Sequence, residues 1–291
     1  MGTVQGDLEF EKIQASASYR QFIALMAKDK IVSLAEAIGA LACENPEQGV
    51  WGESLHIDID LLVGQVERVL GFDISPPPID GGLLKIRSEK GLFHERDVNA
   101  IFTAWSMGRI LQPPEGTSIC EIGAGTGRVA YWSQRLGFTS YTVVDIPLTN
   151  VIQGFYLLKA LPEASITLYG EASKNQPGAP AIRILPFFCI DEVPPNQFDL
   201  VLNQDSFPEI NRETVVKYLE WIKIVSRQFF YSINHESRPR DGAGNFQLNV
   251  QALIAEAGGY RRVSRVPYWL RRGYVSELYE VAEKERSRRA G

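Results

Sequence analysis

The stretch Ser118-Ile-Cys-Glu-Ile-Gly-Ala-Gly-Thr-Gly-Arg-Val-Ala130 decides the fold of this chain. An apolar run leads into Gly123, Gly125 and Gly127, a helical pattern follows, and a second apolar run ends at Asp145, twenty residues after Gly125. Glycines let a ligand approach backbone where a Cβ would block it, and the N-terminus of the next helix can bind an anion. An acid at the end of the following strand lies at the distance suited to ribose hydroxyls. The stretch therefore predicts a strand, loop, helix and strand that hold a nucleoside-bearing cofactor.

The detail of the loop distinguishes two classes of cofactor. The dinucleotide pattern is G-x-G-x-x-G, whereas here Arg128 stands where its last glycine should be. Glu121 also places an acid beside the loop, and negative charge suits a cationic ligand better than a pyrophosphate. A nicotinamide-dependent oxidoreductase is therefore the alternative and not the main hypothesis.

The pattern E-x-G-x-G-x-G from Glu121 to Gly127 resembles motif I of the class I S-adenosylmethionine-dependent methyltransferases. The resemblance implies S-adenosyl-L-methionine as cofactor, with Glu121 supporting its methionine end and Asp145 holding its ribose. The cofactor-binding residues expected from this pattern and from the ends of the second and fourth strands are Glu121, Gly123, Gly125, Gly127, Asp145, Ile146 and Asn203.

Composition restricts the partners and the compartment. The 291 residues are 45% hydrophobic, which is enough for a core, and the formal net charge of −5 gives no general attraction to nucleic acid. The basic tail from Lys284 to Arg289 is typical of a solvated helix end. No run of about 18 apolar residues and no secretory pattern near Met1 are present, so we expect a cytoplasmic protein without a membrane span. Cys43, Cys120 and Cys189 are widely separated, which predicts reduced core residues.

The N-terminal part has helical periodicity from about Asp7 to Leu70, broken near Asn45-Pro46. The segment Ser75-Pro-Pro-Pro-Ile-Asp-Gly-Gly82 then stops regular structure. We expect residues 1–80 to form a helical segment that acts as a lid or as a homo-oligomer contact. Residues 81–291 are expected to form the catalytic domain.

The remaining pattern predicts an α/β Rossmann-like class I methyltransferase fold, with a mostly parallel sheet ending in an antiparallel hairpin. A helix from Arg96 to Leu111 leads in, and the hairpin joins Tyr260–Leu270 to Tyr274–Glu283. The expected strands are Ser118–Ile122, Tyr141–Asp145, Ala181–Phe188, Phe198–Asn203 and Gln228–Asn234, and the helices between them are Arg128–Leu136, Asn150–Ala160, Arg212–Val225 and Leu248–Ala257.

Polar residues follow the fourth and fifth strands, at the sheet edge where ligands of open α/β sheets bind. Transfer of a methyl group to an alkyl hydroxyl needs a base or a metal, and the groups within reach are Asp205, Glu209, His235 and Glu236, of which the first three are the candidate bases. Each also has a possible structural role. Asp205 could form an Asx-turn or cap a helix N-terminus, and Glu209 could interact with a helix dipole from the first turn. His235 could be a core histidine that is hydrogen-bonded to a backbone carbonyl. The sequence leaves these structural alternatives open.

A narrower resemblance comes from three separated segments. Phe198–Glu209, Phe230–Glu236 and Tyr268–Tyr274, with Asp145-Ile-Pro147, are similar to the sugar O-methyltransferase family, over roughly Glu95 to Glu280. The resemblance implies methyl transfer to a hydroxyl of a small-molecule saccharide or a glycosylated metabolite.

A divalent metal is a further possibility at this edge. Asp205 and Glu236 would follow adjacent strands, as in sugar methyltransferases that bind Mg²⁺, and the ion would lower the pKa of the acceptor hydroxyl. No dedicated metal motif accompanies them. Tyr268, Trp269 and Tyr274 would either stack on sugar faces or pack in the core. A catalytically silent cofactor-binding subunit, in which the N-terminal segment does the work, is the non-enzyme alternative.

Overall fold

The computed structural model describes residues 16–79, 85–112, 115–171, 181–236 and 247–282. The chain forms two compact units, residues 1–106 and 107–291. The division falls within helix α3 (Glu95–Ile110), after the proline and glycine segment at which the sequence suggested a joint.

Two helices form the N-terminal unit where helical periodicity was expected, α1 (Ala17–Ala37) and α2 (Ile59–Leu70). The Asp58 carboxylate caps α2 by accepting the Asp60 backbone N–H at 2.9 Å, and Gly71 ends it with φ of 76°. Short 3₁₀ turns, Pro46–Gln48 and Glu53–His56, lie between the helices. The part of the expected helical pattern before residue 16 lies outside the described residues.

A hairpin of β1 (Lys85–Ser88) and β2 (Gly91–His94) also belongs to this unit and was not expected. Its turn is attached to α2, because Lys90 Nζ lies 3.0 Å from Glu67 Oε2 and the Glu89 N–H donates to Asp60 at 2.7 Å. These contacts explain why the N-terminal unit extends beyond residue 80.

Eight strands form the sheet of the second unit, in the order β5-β6-β4-β3-β7-β8-β10-β9. Neighbouring strands are parallel from β5 through β8, and β10 is antiparallel to both β8 and β9. This order confirms the Rossmann-like class I methyltransferase fold. The strands are β3 (Ser118–Ile122), β4 (Ser140–Asp145), β5 (Ser165–Leu168), β6 (Ala181–Pro186), β7 (Phe198–Gln204), β8 (Ser226–His235), β9 (Tyr260–Pro267) and β10 (Tyr274–Val281).

The helices of this unit are α4 (Arg128–Arg135), α5 (Pro147–Ala160), α6 (Arg212–Val225) and α7 (Val250–Ala257). Several bounds differ from the sequence prediction, and three of the differences have a clear cause. Helix α5 begins three residues earlier than expected, because Pro147 fits a first helical turn. A 3₁₀ turn from Phe187 to Glu192 replaces the end of the predicted third strand. The four-residue edge strand β5 was missed because so short a run has no clear period.

A buried cluster of aliphatic and aromatic residues fixes α6 and α7 to the sheet. Phe207 stacks on Tyr218 with ring centroids 5.7 Å apart, and it also meets Phe230 of β8. Fully buried members of the cluster include Val201, Phe207, Val215, Leu219, Ile222, Val225, Phe230 and Val250.

Strand β3 has β4 on one side and β7 on the other, so the direction of the strand order changes there. In open α/β sheets, ligands bind at the carboxyl ends of the strands beside such a change. Among the described residues, no helix is long and apolar enough to cross a membrane. Cys120 and Cys189 are buried thiols, whereas Cys43 is exposed and so is not the core residue expected.

Candidate functional site

The three glycines after β3 all adopt left-handed backbone conformations, with φ of 75° at Gly123, 57° at Gly125 and 85° at Gly127. L-residues with a side chain pay a steric penalty in this region. The loop therefore needs glycine at all three positions, but the space around them differs.

Gly123 and Gly127 allow parts of the protein to approach one another closely. A Cβ on Gly123 would lie 2.1 Å from Ser206 Oγ, and one on Gly127 would lie 3.1 Å from Leu157 Cδ1. A Cβ on Gly125 would meet no atom of the described residues within 4 Å. Gly125 is therefore the position where a ligand has room to approach the backbone.

A buried glutamine connects the loop to the acid at the end of β4. Gln153 Nε2, on α5, donates to Asp145 Oδ2 at 2.8 Å and to the Gly125 carbonyl at 3.0 Å. The Ile146 N–H donates to Asp145 Oδ1 at 2.8 Å. Burial raises the pKa of the Asp145 carboxyl above its usual value, against the opposing effect of these hydrogen bonds. Gly123–Gly127, Asp145 and Gln153 are called the glycine-loop cluster below.

Glu121 lies on β3 and is completely buried. Its carboxyl accepts the Tyr141 hydroxyl at 2.8 Å. Burial raises the pKa of Glu121 to about 8, with Asp145 adding repulsion and the Tyr141 hydrogen bond opposing the shift. The sequence argument assumed a negative charge at Glu121, whereas burial in this environment favours the neutral form of the side chain.

The remaining two predicted cofactor residues lie in different surroundings. Asn203 is fully buried, donates to the Ile122 carbonyl at 3.1 Å and accepts from Asn234 Nδ2 at 3.0 Å. Its side chain therefore joins the carboxyl ends of β3, β7 and β8. Ile146 is 53% exposed, directly after Asp145.

Asp205 follows β7 and has a φ of 63°, a left-handed conformation that is uncommon for a residue with a side chain. Its carboxylate accepts hydrogen bonds from Arg271 and from the Tyr274 hydroxyl, both beyond the hairpin's first strand. The Arg271 guanidinium also lies over the Tyr274 ring, 3.9 Å from its centroid. Burial, and then the bond to Asp205, raises the pKa of Tyr274, which keeps that hydroxyl a donor.

His235, at the end of β8, is also brought to this place. The edge of its ring contacts the Tyr274 ring, with centroids 5.6 Å apart. The two residues are directly opposite each other in the antiparallel pairing of β8 and β10. Asp205, His235, Arg271 and Tyr274 are called the tyrosine cluster below. Glu209 is exposed, in a 3₁₀ turn after Ser206, and its charge adds to the electrostatic effect on Tyr274.

The expected magnesium pair does not fit the structure. Asp205 forms an ion pair with Arg271, and Glu236 Oε2 lies 2.6 Å from Arg265 Nη2 on β9. Each carboxylate is already neutralised by a guanidinium, and no metal-binding group of His, Cys, Asp or Glu occurs among the described residues. The structure therefore gives no support to metal ligation by Asp205 and Glu236, and no step is assigned to Mg²⁺.

Two residues of the site were missed by sequence reasoning. Gln153 could have been found from the sequence, because it is a polar residue on the face of α5 that is otherwise apolar and buried. Arg271 gave none, because its partner Asp205 lies 66 residues away along the chain.

No protein-family model matches this chain, and neither does any curated protein. Among solved structures, a protein from Pyrococcus horikoshii is 10% identical with a TM-score of 0.46, over 63% of this chain and 90% of its own. An S-adenosylmethionine-dependent methyltransferase from Mesorhizobium loti is 12% identical with a TM-score of 0.40, over 60% and 96% of the two chains. A methyltransferase of the same cofactor class from Leishmania major is 16% identical with a TM-score of 0.42, over 63% and 72%.

The fold follows from the strand order alone and does not depend on these similarities. The second unit has the class I methyltransferase fold. The glycine-loop and tyrosine clusters both lie at the sheet edge where β3, β4, β7 and β8 end.

Proposed function

We propose that this protein is a cytoplasmic S-adenosylmethionine-dependent O-methyltransferase that methylates a hydroxyl of a saccharide. The observation that carries the proposal is the open space at Gly125 next to the Asp145 carboxylate, which Gln153 holds against the same loop. When bound, the cofactor supplies an electrophilic methyl group on a sulfonium sulfur.

The glycine-loop cluster has the donor and acceptor capacity for a ribose. The Asp145 carboxylate accepts the Ile146 N–H and Gln153 Nε2, each at 2.8 Å, and the backbone of Ala124 and Gly125 also stabilises its charge. A carboxylate has about four lone-pair positions, so Asp145 is a suitable acceptor for a ribose hydroxyl beside the loop. The exposed side chain of Ile146 offers an apolar surface for the nucleobase of the cofactor.

Glu121 adds a charge that depends on the ligand. Burial of a neutral carboxyl costs less free energy than burial of an ionised one, whereas a nearby cation favours the ionised form. A sulfonium bound near the loop would therefore lower the pKa of Glu121 and release a proton on binding.

The tyrosine cluster supplies the acid and base groups for the acceptor. We assign the general base to His235, because it lies at the carboxyl end of β8 beside the Tyr274 ring, whereas the Asp205 carboxylate is held in an ion pair with Arg271. Asp205 then orients Arg271 and Tyr274. Trp269, 53% exposed in the turn before Arg271, offers an aromatic face for a sugar ring.

Isothermal titration calorimetry with S-adenosylhomocysteine tests the cofactor. We expect Asp145→Ala to weaken binding by about 2 kcal/mol, or roughly 30-fold, because the charged acceptor for the ribose is lost. Glu213→Ala, which removes an exposed acid of α6, is the control and should bind as the wild type does. Unchanged binding by the Asp145 variant would overturn the assignment of this site.

The rival functions give different results. An oxidoreductase would bind reduced nicotinamide and change its absorbance, and a silent subunit would bind S-adenosylhomocysteine but methylate no member of a saccharide panel. The role of the N-terminal helical segment as lid or oligomer contact stays a prediction.

A further inference from the structure

Helix α5 has two faces with opposite character. Its inner face carries Gln153 and packs on β5 and β6, so closely that a Cβ on Gly154 would lie 3.1 Å from Leu168 Cδ2. Its outer face is apolar and exposed: Leu148 is 73% exposed, and Val151, Ile152, Phe155 and Leu158 are each about half exposed or more.

The spacing of these outer residues is that of a helix-packing seam. Leu148, Val151, Phe155 and Leu158 follow one another at steps of three, four and three residues. This is the a and d spacing with which one helix packs knobs into the holes of another. The pattern indicates a helix as the occupant of this face.

The area is large for a surface that faces water. Three more exposed aromatic residues follow β5 and β6, the strands on which α5 packs, and two of them pack on each other with centroids 5.8 Å apart. They are Tyr169, Phe187 and Phe188. Summed with the five α5 residues, the exposed area of these side chains is roughly 900 Å², close to the ~800 Å² that each partner buries in a standard interface.

The charge of α5 favours an identical partner over a membrane. Lys159 is the one charged residue in its sequence, at the last turn. In an antiparallel pair of α5 helices related by a twofold axis, the two Lys159 residues lie at opposite ends, so no like charges meet. Helices that lie in a membrane surface instead carry several Lys or Arg residues on their polar face.

We propose that α5 is the contact between two copies of this chain, packed antiparallel to its counterpart about a twofold axis. The α5 surface, defined as Leu148, Val151, Ile152, Phe155 and Leu158 with Tyr169, Phe187 and Phe188, is then buried in a homodimer. This assigns a self-association surface to α5, separate from the N-terminal helices, whose role stays a prediction.

Sedimentation equilibrium over a range of protein concentrations tests the dimer. The wild type should dimerise, and Val151→Glu should raise the dissociation constant by roughly 100-fold, because a twofold axis introduces each buried charge twice. Val266→Glu is the matched control, since Val266 is 53% exposed on β9, and it should leave the constant unchanged. A wild type that is monomeric at all concentrations would overturn the proposal, and so would a Val151→Glu variant that dimerises normally.

A covalent test does not depend on the stability of a charged variant. In a Cys43→Ser background, which removes the exposed thiol, a short bismaleimide should link two copies through Val151→Cys, whose counterparts lie about 10 Å apart across the twofold axis, and should not link them through Val266→Cys. Equal crosslinking at both positions, or at neither, would contradict the twofold α5 contact. Binding of the wild type to anionic vesicles through Val151 would show a membrane as the occupant and would equally overturn it.

Discussion

The glycine-loop cluster and the tyrosine cluster lie at the same edge of one sheet but are built in different ways. The first is local, since Gly125, Asp145 and Gln153 are at most 28 residues apart, and burial raises the pKa of its acid. The second joins Asp205 to residues 66 and 69 positions away, and its acid is held in an ion pair. The proposed cofactor site thus depends on backbone shape and burial, and the proposed acceptor site on long-range charge pairing.

The largest difference should appear in the pH dependence of stability. The pKa of Glu121 is about 8 in the folded chain and near 4.5 when unfolded, so the folded chain binds the extra proton between these values. The contribution of Glu121, which precedes the glycine-loop cluster on β3, to the unfolding free energy should therefore fall by roughly 4 kcal/mol from pH 4.5 to 8 and level off above pH 8.

Urea unfolding of Glu121→Gln and wild type at pH 5, 7 and 9 measures this effect. The variant should lose the Glu121 contribution to the slope, while Glu209→Gln, at an exposed position, should keep the wild-type slope. Parallel curves for Glu121→Gln and wild type would show that the buried acid is already ionised.

Substitution of the loop glycines separates packing from ligand access. Gly123→Ala should destabilise the fold by about 3 kcal/mol, because its Cβ would overlap Ser206 in a left-handed conformation. Gly125→Ala should cost about 1 kcal/mol of stability, from the backbone alone, and yet remove S-adenosylhomocysteine binding. Thermal melts and calorimetry on both variants provide the measurement, and equal melting temperatures would contradict the distinction.

Removal of the Gln153 amide should weaken cofactor binding without loss of the fold. Gln153→Met keeps the volume but loses the donors to Asp145 and Gly125, so we expect an affinity lower by about 1.5 kcal/mol, or roughly tenfold. Gln134→Met, on α4, is a control of the same chemistry away from Asp145. An unchanged dissociation constant for Gln153→Met would show that Asp145 needs no bridge.

The tyrosine cluster should give the smallest effect, and on turnover alone. Tyr274→Phe removes the hydrogen bond to Asp205 and should lower kcat by about fivefold to tenfold, with the affinity for S-adenosylhomocysteine unchanged. Tyr279→Phe, which removes a similar bond to Glu277 on the same strand, is the control. A drop in cofactor affinity with unchanged kcat would show that Tyr274 belongs to the cofactor site and not to the acceptor site.

Much of the fold could be predicted because its signals are local. The glycine loop, the strand and helix alternation and the final hairpin each occupy a short stretch, and all were found in the structure. The β1–β2 hairpin and β5 were missed, since four-residue strands have too few residues to show a period. Insertion of β10 between β8 and β9 could not be read from the chain, because strand order depends on packing.

The sequence by itself determined that a nucleoside-type loop follows β3 and that acids end the neighbouring strands, because spacing and residue type are one-dimensional properties. Only the tertiary structure decided what those acids do. It buried Glu121, which raises the pKa of that acid, joined Asp145 to the loop through Gln153, and paired Asp205 and Glu236 with arginines. The physical reason is that pKa values, ion pairs and open space depend on which distant side chains meet, and that is set by the packed sheet.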